Sequence, residues 1–164
     1  MKILEDYIAF DLEFNQYEDA YQIIQVSAVR FTDGKEVDHY DSYVYTDKPL
    51  KSFINGLTGI TQDKIQHAPQ LEQVLGEFKA FVGDRPLIGY NSKKSDLPIL
   101  LENGLDLEEQ YAVDVFDEAF ERRPSDLHGI KNLQLHTVAE FLGVAGKSHD
   151  SLEDARMTAL VYQQ

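Results

Sequence analysis

Tyr7-Ile8-Ala9-Phe10-Asp11-Leu12-Glu13-Phe14 is an apolar run that carries two carboxylates two positions apart. Read as a β-strand, its period of two puts Ile8, Phe10, Leu12 and Phe14 on one face and Ala9, Asp11 and Glu13 on the other. Like charges on one face repel, and each loses hydration inside a sheet, so the pair calls for either bulk water or a cation. An ordinary half-buried strand with its acids in solvent shows the same alternation. The rest of the chain has to decide between the two.

Working outward, Ile23 to Phe31 is rich in Ile and Val, as a strand should be, and the polar stretch Gln16 to Ala20 before it reads as a turn. Thr32-Asp33-Gly34-Lys35 is a hairpin signal, so Val37 to Tyr45 is expected to return antiparallel. Asp47 to Gly59 reads as a surface connection whose Leu50, Phe53, Ile54 and Leu57 pack down onto something. Thr61 can cap a short helix, and Pro69 restarts the chain for a longer one with Leu71, Val74, Leu75, Phe78 and Val82 as its buried stripe. Leu87 to Tyr90 is a short covered strand, followed by a loop and a helix from about Leu97 to Glu102. Tyr111 to Val115 repeats that theme, with Phe116 to Arg122 helical. Leu133, Leu135, Val138, Ala139 and Leu142 mark another amphipathic helix closed by Gly143, and Ser151 to Tyr162 is the last. Three strands, then helices alternating with two more, is the pattern of an α/β domain with a mixed sheet of about five strands.

The 164 residues suit one domain, 1–164, with enough apolar material for a single core. No cysteine is present, which excludes disulfides and thiolate metal sites and favours a reducing, cytoplasmic setting. The opening M-K-I-L-E-D-Y is too short an apolar run for a signal peptide or a membrane span, so no membrane association is expected. The formal charge of -14 argues against a polyanionic partner unless cations bound to clustered acids invert the local field. The pairs Lys48/Lys51, Lys93/Lys94 and Arg122/Arg123 read more naturally as solvated faces than as phosphate cradles.

Chemistry in mixed α/β sheets concentrates at the carboxyl ends of strands. Asp11 and Glu13 end the first strand, Asp96 follows the fourth, and His149 and Asp154 flank the start of the last helix. Four such carboxylates are what a pair of Mg2+ or Mn2+ ions wants. Each residue also has a plainer local role. Ser151-Leu152-Glu153-Asp154 matches a capping box, Asp96 can be a helix N-cap, His149 sits in a polar loop, and Asp114 is a satisfied core acid or a partner to the site.

Taken in order, D-x-E in the first strand, an Asp after Gly89-Tyr90-Asn91 and H-x-x-x-x-D near the end resemble the DEDDh, or DnaQ-like, 3′-to-5′ exonucleases of the ribonuclease H-like superfamily. Ile24-Gln25-Val26-Ser27-Ala28-Val29, Leu57-Thr58-Gly59-Ile60-Thr61 and Val113-Asp114 also stand where that family has comparable runs. The resemblance covers essentially the whole chain. It implies a ribonuclease H-like fold and metal-dependent removal of nucleotides from the free 3′ end of single-stranded DNA or RNA as nucleoside 5′-monophosphates. It also implies Asp11, Glu13, Asp96 and Asp154 as ligands of two divalent cations, His149 as general base, and Leu12, Phe14, Leu57 and Asn91 as substrate contacts. Any polymerase or other protein partner is left open. Two departures from the family pattern are Phe14 in place of a common Thr, and an Asn91-to-Asp96 interval one residue longer than usual with Ser95 where an aromatic is common. The competing readings are a binding module that keeps the fold without turnover, and a phosphoesterase of small oligonucleotides.

Overall fold

The computed structural model describes residues 3–144 and 150–164. Its elements are β1 (Tyr7–Tyr17), β2 (Ala20–Thr32), β3 (Lys35–Tyr43), α1 (Ser52–Thr58), α2 (Gln62–Gln66), α3 (Leu71–Val82), β4 (Leu87–Gly89), α4 (Asp96–Glu102), β5 (Tyr111–Asp114), α5 (Val115–Arg122), α6 (Leu135–Phe141) and α7 (Ser151–Gln163). The strands form one mixed sheet in the order β3-β2-β1-β4-β5, antiparallel across β1, β2 and β3 and parallel from β1 through β4 to β5. The α/β class and the five strands agree with the expectation.

Alternation along β1 divides the core. Ile8, Phe10 and Leu12 pack with Val74, Phe78, Leu97 and Leu100 on the α3/α4 side. Ala9 packs with Val29, Ile88, Val138, Ala139, Ala155 and Ala159 on the α5/α6/α7 side. Asp11 and Glu13, at the same parity as Ala9, continue that second face past the end of β4, which pairs with β1 only at Ile8 and Ala9. Asp11 and Glu13, expected to end the first strand, lie midway along it because β1 continues to Tyr17. It is the short partner strand β4 that ends beside them and leaves room for a site.

Turn chemistry fixes the hairpins. Asp33 (φ 53°) and Gly34 (φ 74°) form a two-residue turn with both residues left-handed, the type that matches strand twist. The stretch read as a turn at Gln16 to Ala20 is shorter in fact, because β1 runs to Tyr17 and only Glu18 and Asp19 turn. β3 likewise starts two residues earlier than expected and ends at Tyr43. The register of β1 with β2 slips between Glu13 and Phe14, which leaves Ile24 without an opposite residue. Its buried side chain joins Ile54, Ile60 and Ile65 in a small separate cluster under α1 and α2.

Ser52–Thr58 is helical, where the sequence reads as surface connection throughout Asp47 to Gly59. The helix is too short to show a periodic stripe, and its buried anchor is Ile54 alone. Asn15, fully buried on β1, donates to the Pro49 carbonyl at 3.1 Å and accepts from the Lys51 N–H at 2.9 Å, which pins the entry to α1. At α2 the expected cap is present, with the Thr61 hydroxyl accepting from the Lys64 N–H.

Asp114 ends β5 and caps α5. Its carboxylate accepts from the N–H groups of Asn91 (2.8 Å), Phe116 (3.0 Å) and Lys93 (3.3 Å), so one acid ties the β4–α4 loop to the start of α5. Asp114→Ala leaves three backbone donors without this partner and is expected to cost about 2 kcal/mol in urea unfolding. Amide exchange at Asn91 and Lys93 should accelerate more than at the sheet centre; unchanged protection there would show that the loop is held by something else.

Candidate active site

Asp11 and Glu13 from β1 and Asp154 from α7 each offer a carboxylate oxygen, and these atoms all lie within 4.8 Å of one another. All three side chains are half-buried. Asp154 reaches the pair because α7 lies close against the sheet, with Ala155 and Ala159 fully buried beside Ala9.

The seat of α7 is polar at its start. Ser27 stands directly opposite Asp11, and Gln25 opposite Glu13. Both are buried in an otherwise aliphatic strand. The Ser27 hydroxyl donates to Asp41 Oδ1 at 2.7 Å and is hydrogen-bonded to the Ser151 hydroxyl of α7. Gln25 Nε2 donates to Asp41 Oδ1 at 2.9 Å and to Asp150 Oδ1 at 3.4 Å. The N-cap of α7 is Asp150, whose carboxylate accepts from the Glu153 N–H at 3.3 Å. The Ser151-to-Asp154 capping box suggested by the sequence is therefore not formed. Ser151 faces β2 instead, and the Asp154 carboxylate lies in the acidic cluster.

Asp96 is 4% exposed and lies outside the group of three. It is the first residue of α4, not its cap, and Ser95 precedes it. The Ser95 hydroxyl donates to Asp96 Oδ1 at 2.9 Å and the Ser92 hydroxyl donates to Oδ2 at 3.2 Å. The same Ser95 proton is shared with the Asn91 carbonyl at 3.2 Å, and Asn91 itself is left-handed (φ 59°). The long Asn91-to-Asp96 interval thus becomes a loop whose two serines orient the acid. Ser92 packs so tightly against Gly89 that a Cβ there would stand 2.8 Å from Ser92 Cβ, so only glycine fits.

The electrostatics follow from this crowding. Burial, and then the charges of Asp96, Glu13 and Asp154, push the Asp11 carboxyl well above the usual range, while the Leu12 N–H pulls it down. Burial, with Asp154, Asp96 and Asp150, pushes Glu13 up to about 8. Burial pushes Asp96 up to about 7, opposed by its serine and Leu12 N–H hydrogen bonds. The donor set is all oxygen, without sulfur or imidazole among the described ligands, which suits a hard divalent cation such as Mg2+ or Mn2+.

Of the expected residues, Asp11, Glu13 and Asp154 come together beside the middle of β1, with Asp96 outside that group but near enough for its charge to act on Asp11 and Glu13. His149 lies outside the described residues. Leu57 is 46% exposed on α1, and Phe14 is half-buried edge-on to Tyr21 at 6.2 Å between centroids. Leu12 is buried in the α3/α4 core, so any contact it makes with a substrate falls to its main chain. Sequence reasoning missed Asn15, Gln25 and Ser27 as supports of the site. The signal for the last two was present as polar residues interrupting the aliphatic run of β2 opposite the two acids.

An exonuclease family model, RNase T, matches residues 8–162. The PolC-type DNA polymerase III of Clostridium perfringens is 30% identical over 159 residues, which are 94% of this chain and 11% of the polymerase. That of Halalkalibacterium halodurans is 36% identical over 88 residues, 53% of this chain and 6% of the polymerase. The chain thus spans about a tenth or less of the length of these curated relatives. In structure it resembles the nuclease domain of 3′hExo, a DEDDh family member solved with rAMP, at a TM-score of 0.75 and 20% identity over 96% of this chain and 89% of that one. It also resembles E. coli Exonuclease I in complex with a dA16 oligonucleotide, at a TM-score of 0.74 and 17% identity over 96% and 40% of the two chains. Both likenesses are of fold.

A carboxyl raised in the folded state is protonated there while the unfolded chain has already ionised, so its stability contribution is intact below the ordinary value and erodes as pH rises to the folded one. For Glu13 that window runs from 4.5 to about 8. Metal-free protein should lose stability across it, and Glu13→Gln should flatten the loss by about 2 kcal/mol at the alkaline end, allowing for partial solvent screening. Urea titrations in EDTA at several pH values measure this; parallel curves for the two proteins would refute it.

Proposed function

The chain belongs to the RNase T exonuclease family, with the fold of the DEDDh 3′-exonucleases, and from that premise we propose that it hydrolyses phosphodiester bonds stepwise from the 3′ end of a single-stranded nucleic acid, releasing nucleoside 5′-monophosphates. The observation that carries the reading is the cluster of Asp11, Glu13 and Asp154, with buried Asp96 in electrostatic reach of Asp11 and Glu13.

Asp11, Glu13, Asp96 and Asp154 would hold two divalent cations, Mg2+ or Mn2+. Such ions supply a water of lowered pKa and neutralise charge at the scissile phosphate. His149, five positions before Asp154, takes the proton of the attacking water, since an imidazole titrates near neutrality. Ser92 and Ser95 keep Asp96 aimed, and the hydroxyl pair of Ser27 and Ser151 keeps α7, and so Asp154, against β1. Leu57 and Phe14 would pack on the terminal nucleotide, with Asn91 and the Leu12 main chain beside it. Similarity to PolC-type DNA polymerase III favours DNA as the strand and a polymerase as the neighbouring activity. The lack of cysteine supports a cytoplasmic setting. Among the described residues no helix is long and apolar enough to cross a membrane.

5′-Labelled single-stranded DNA and RNA incubated with Mn2+ should yield ladders of shortened products, abolished by EDTA and reduced by several orders of magnitude in Asp11→Ala. Intact oligonucleotides, or degradation that survives both treatments, would defeat the proposal. Independently of turnover, Mn2+ at about a hundred times its Kd should stabilise the wild type by about 2.7 kcal/mol and leave Asp11→Ala nearly unmoved. Equal stabilisation of both proteins would place the cation elsewhere.

A further inference from the structure

A second concavity lies on the same side of the sheet as the carboxylates, between the end of β4, the outer face of α5 and the segment entering α6. It measures about 580 Å3, within the ~300–1,000 Å3 typical of ligand clefts. One end is Asn91, the residue that opens the loop leading to Asp96. Its walls are aromatic. Phe116 is held edge-on by Tyr90 at 5.7 Å, and the Tyr90 hydroxyl donates to the Leu133 carbonyl, which joins the two banks. Phe120 is 60% exposed, a large flat ring left in water.

Charge separates this cleft from the rest of the surface. The chain carries 29 acids against 15 Lys and Arg, yet none of the ten residues lining the cleft is acidic and two, Arg123 and Lys131, are basic. Arg122 is engaged by Asp126 at 3.0 Å. Among the described residues Arg123 and Lys131 form no ion pair. A bare aromatic ring flanked by two uncommitted cations, with amides at the rim, matches a single strand, whose bases stack and whose phosphates need counter-charge. An apolar protein segment would use the rings but leave both cations idle.

We propose that this cleft receives nucleotides on the 5′ side of the bond being cut, with Phe120 stacking a base and Arg123 and Lys131 pairing with phosphates. The proposal rests on the nuclease reading for the direction of the strand, and it explains how a protein of such negative charge retains a polyanion. A dinucleotide would reach at most the Asn91 end of the cleft, whereas longer strands would extend along it to Phe120 and Arg123.

The test measures equilibrium binding of fluorescein-labelled single-stranded decamers, DNA and RNA, by anisotropy in EDTA. It also measures Mn2+-dependent cleavage of decamer against dinucleotide. Phe120→Ala should raise the decamer Kd at least about fivefold, and Arg123→Ala with Lys131→Ala should make the log Kd against log salt slope shallower by about 1.4. In both variants the preference for decamer over dinucleotide should shrink. Phe120→Leu, which keeps apolar bulk without a flat face, should also weaken binding, and guards against a folding defect in the alanine variant. Identical Kd values and slopes in wild type and variants overturn the cleft. Loss of binding in the variants without any cleavage by the wild type supports the cleft and removes the nuclease reading. A wild type that binds neither decamer overturns the cleft, and the Mn2+-dependent cleavage then decides the nuclease reading by itself.

Discussion

Mutual repulsion among carboxylates is the constraint around which this molecule is built. At an effective dielectric constant near 20, two unit charges 4.8 Å apart repel by about 3 kcal/mol, so three fully ionised acids in mutual reach would cost about 10 kcal/mol. That is comparable with the whole stability of a domain this size. The fold therefore tolerates the cluster only with some of the acids protonated or with a cation among them. The raised Glu13 and Asp96 carboxyls are the first solution, and the all-oxygen donor set suits the second.

Apolar packing holds the acids in place despite this. On one side of β1, Ile8, Phe10 and Leu12 are locked into the α3/α4 layer, which leaves Asp11 and Glu13 no choice of face. On the other side, small residues at Ala9, Ala155 and Ala159 let α7 come close enough to deliver Asp154. Bulkier side chains at those positions would lift the helix and with it the acid. Polar contacts then set the fine position, through Ser27 and Ser151 for α7 and through Ser92 and Ser95 for Asp96.

Much of this was legible in the sequence because it rests on short periods. The two-residue alternation of Tyr7 to Phe14 fixed the strand and put both acids on one face, and the three-four spacing of Leu71 to Val82 marked α3. Features that depend on which residues become neighbours only after folding were not legible. α1 has a single buried anchor and no stripe, so it read as loop. Ser151 looked like a cap because its spacing to Asp154 fits one, but Asp150 competes successfully and frees Ser151 to meet Ser27. Asn15, Gln25 and Ser27 acquire meaning only through strand register and the packing of Pro49 to Lys51.

The clustered acids are far apart in sequence, with Asp11 and Glu13 on β1 and Asp154 on α7. Contacts of such long sequence separation form late, because chain closure must precede them. A nascent chain emerging from the ribosome can assemble the hairpins of the sheet while still lacking its third carboxylate. The three-carboxylate group is thereby incomplete until translation has passed α7, and fragments released earlier lack its third acid.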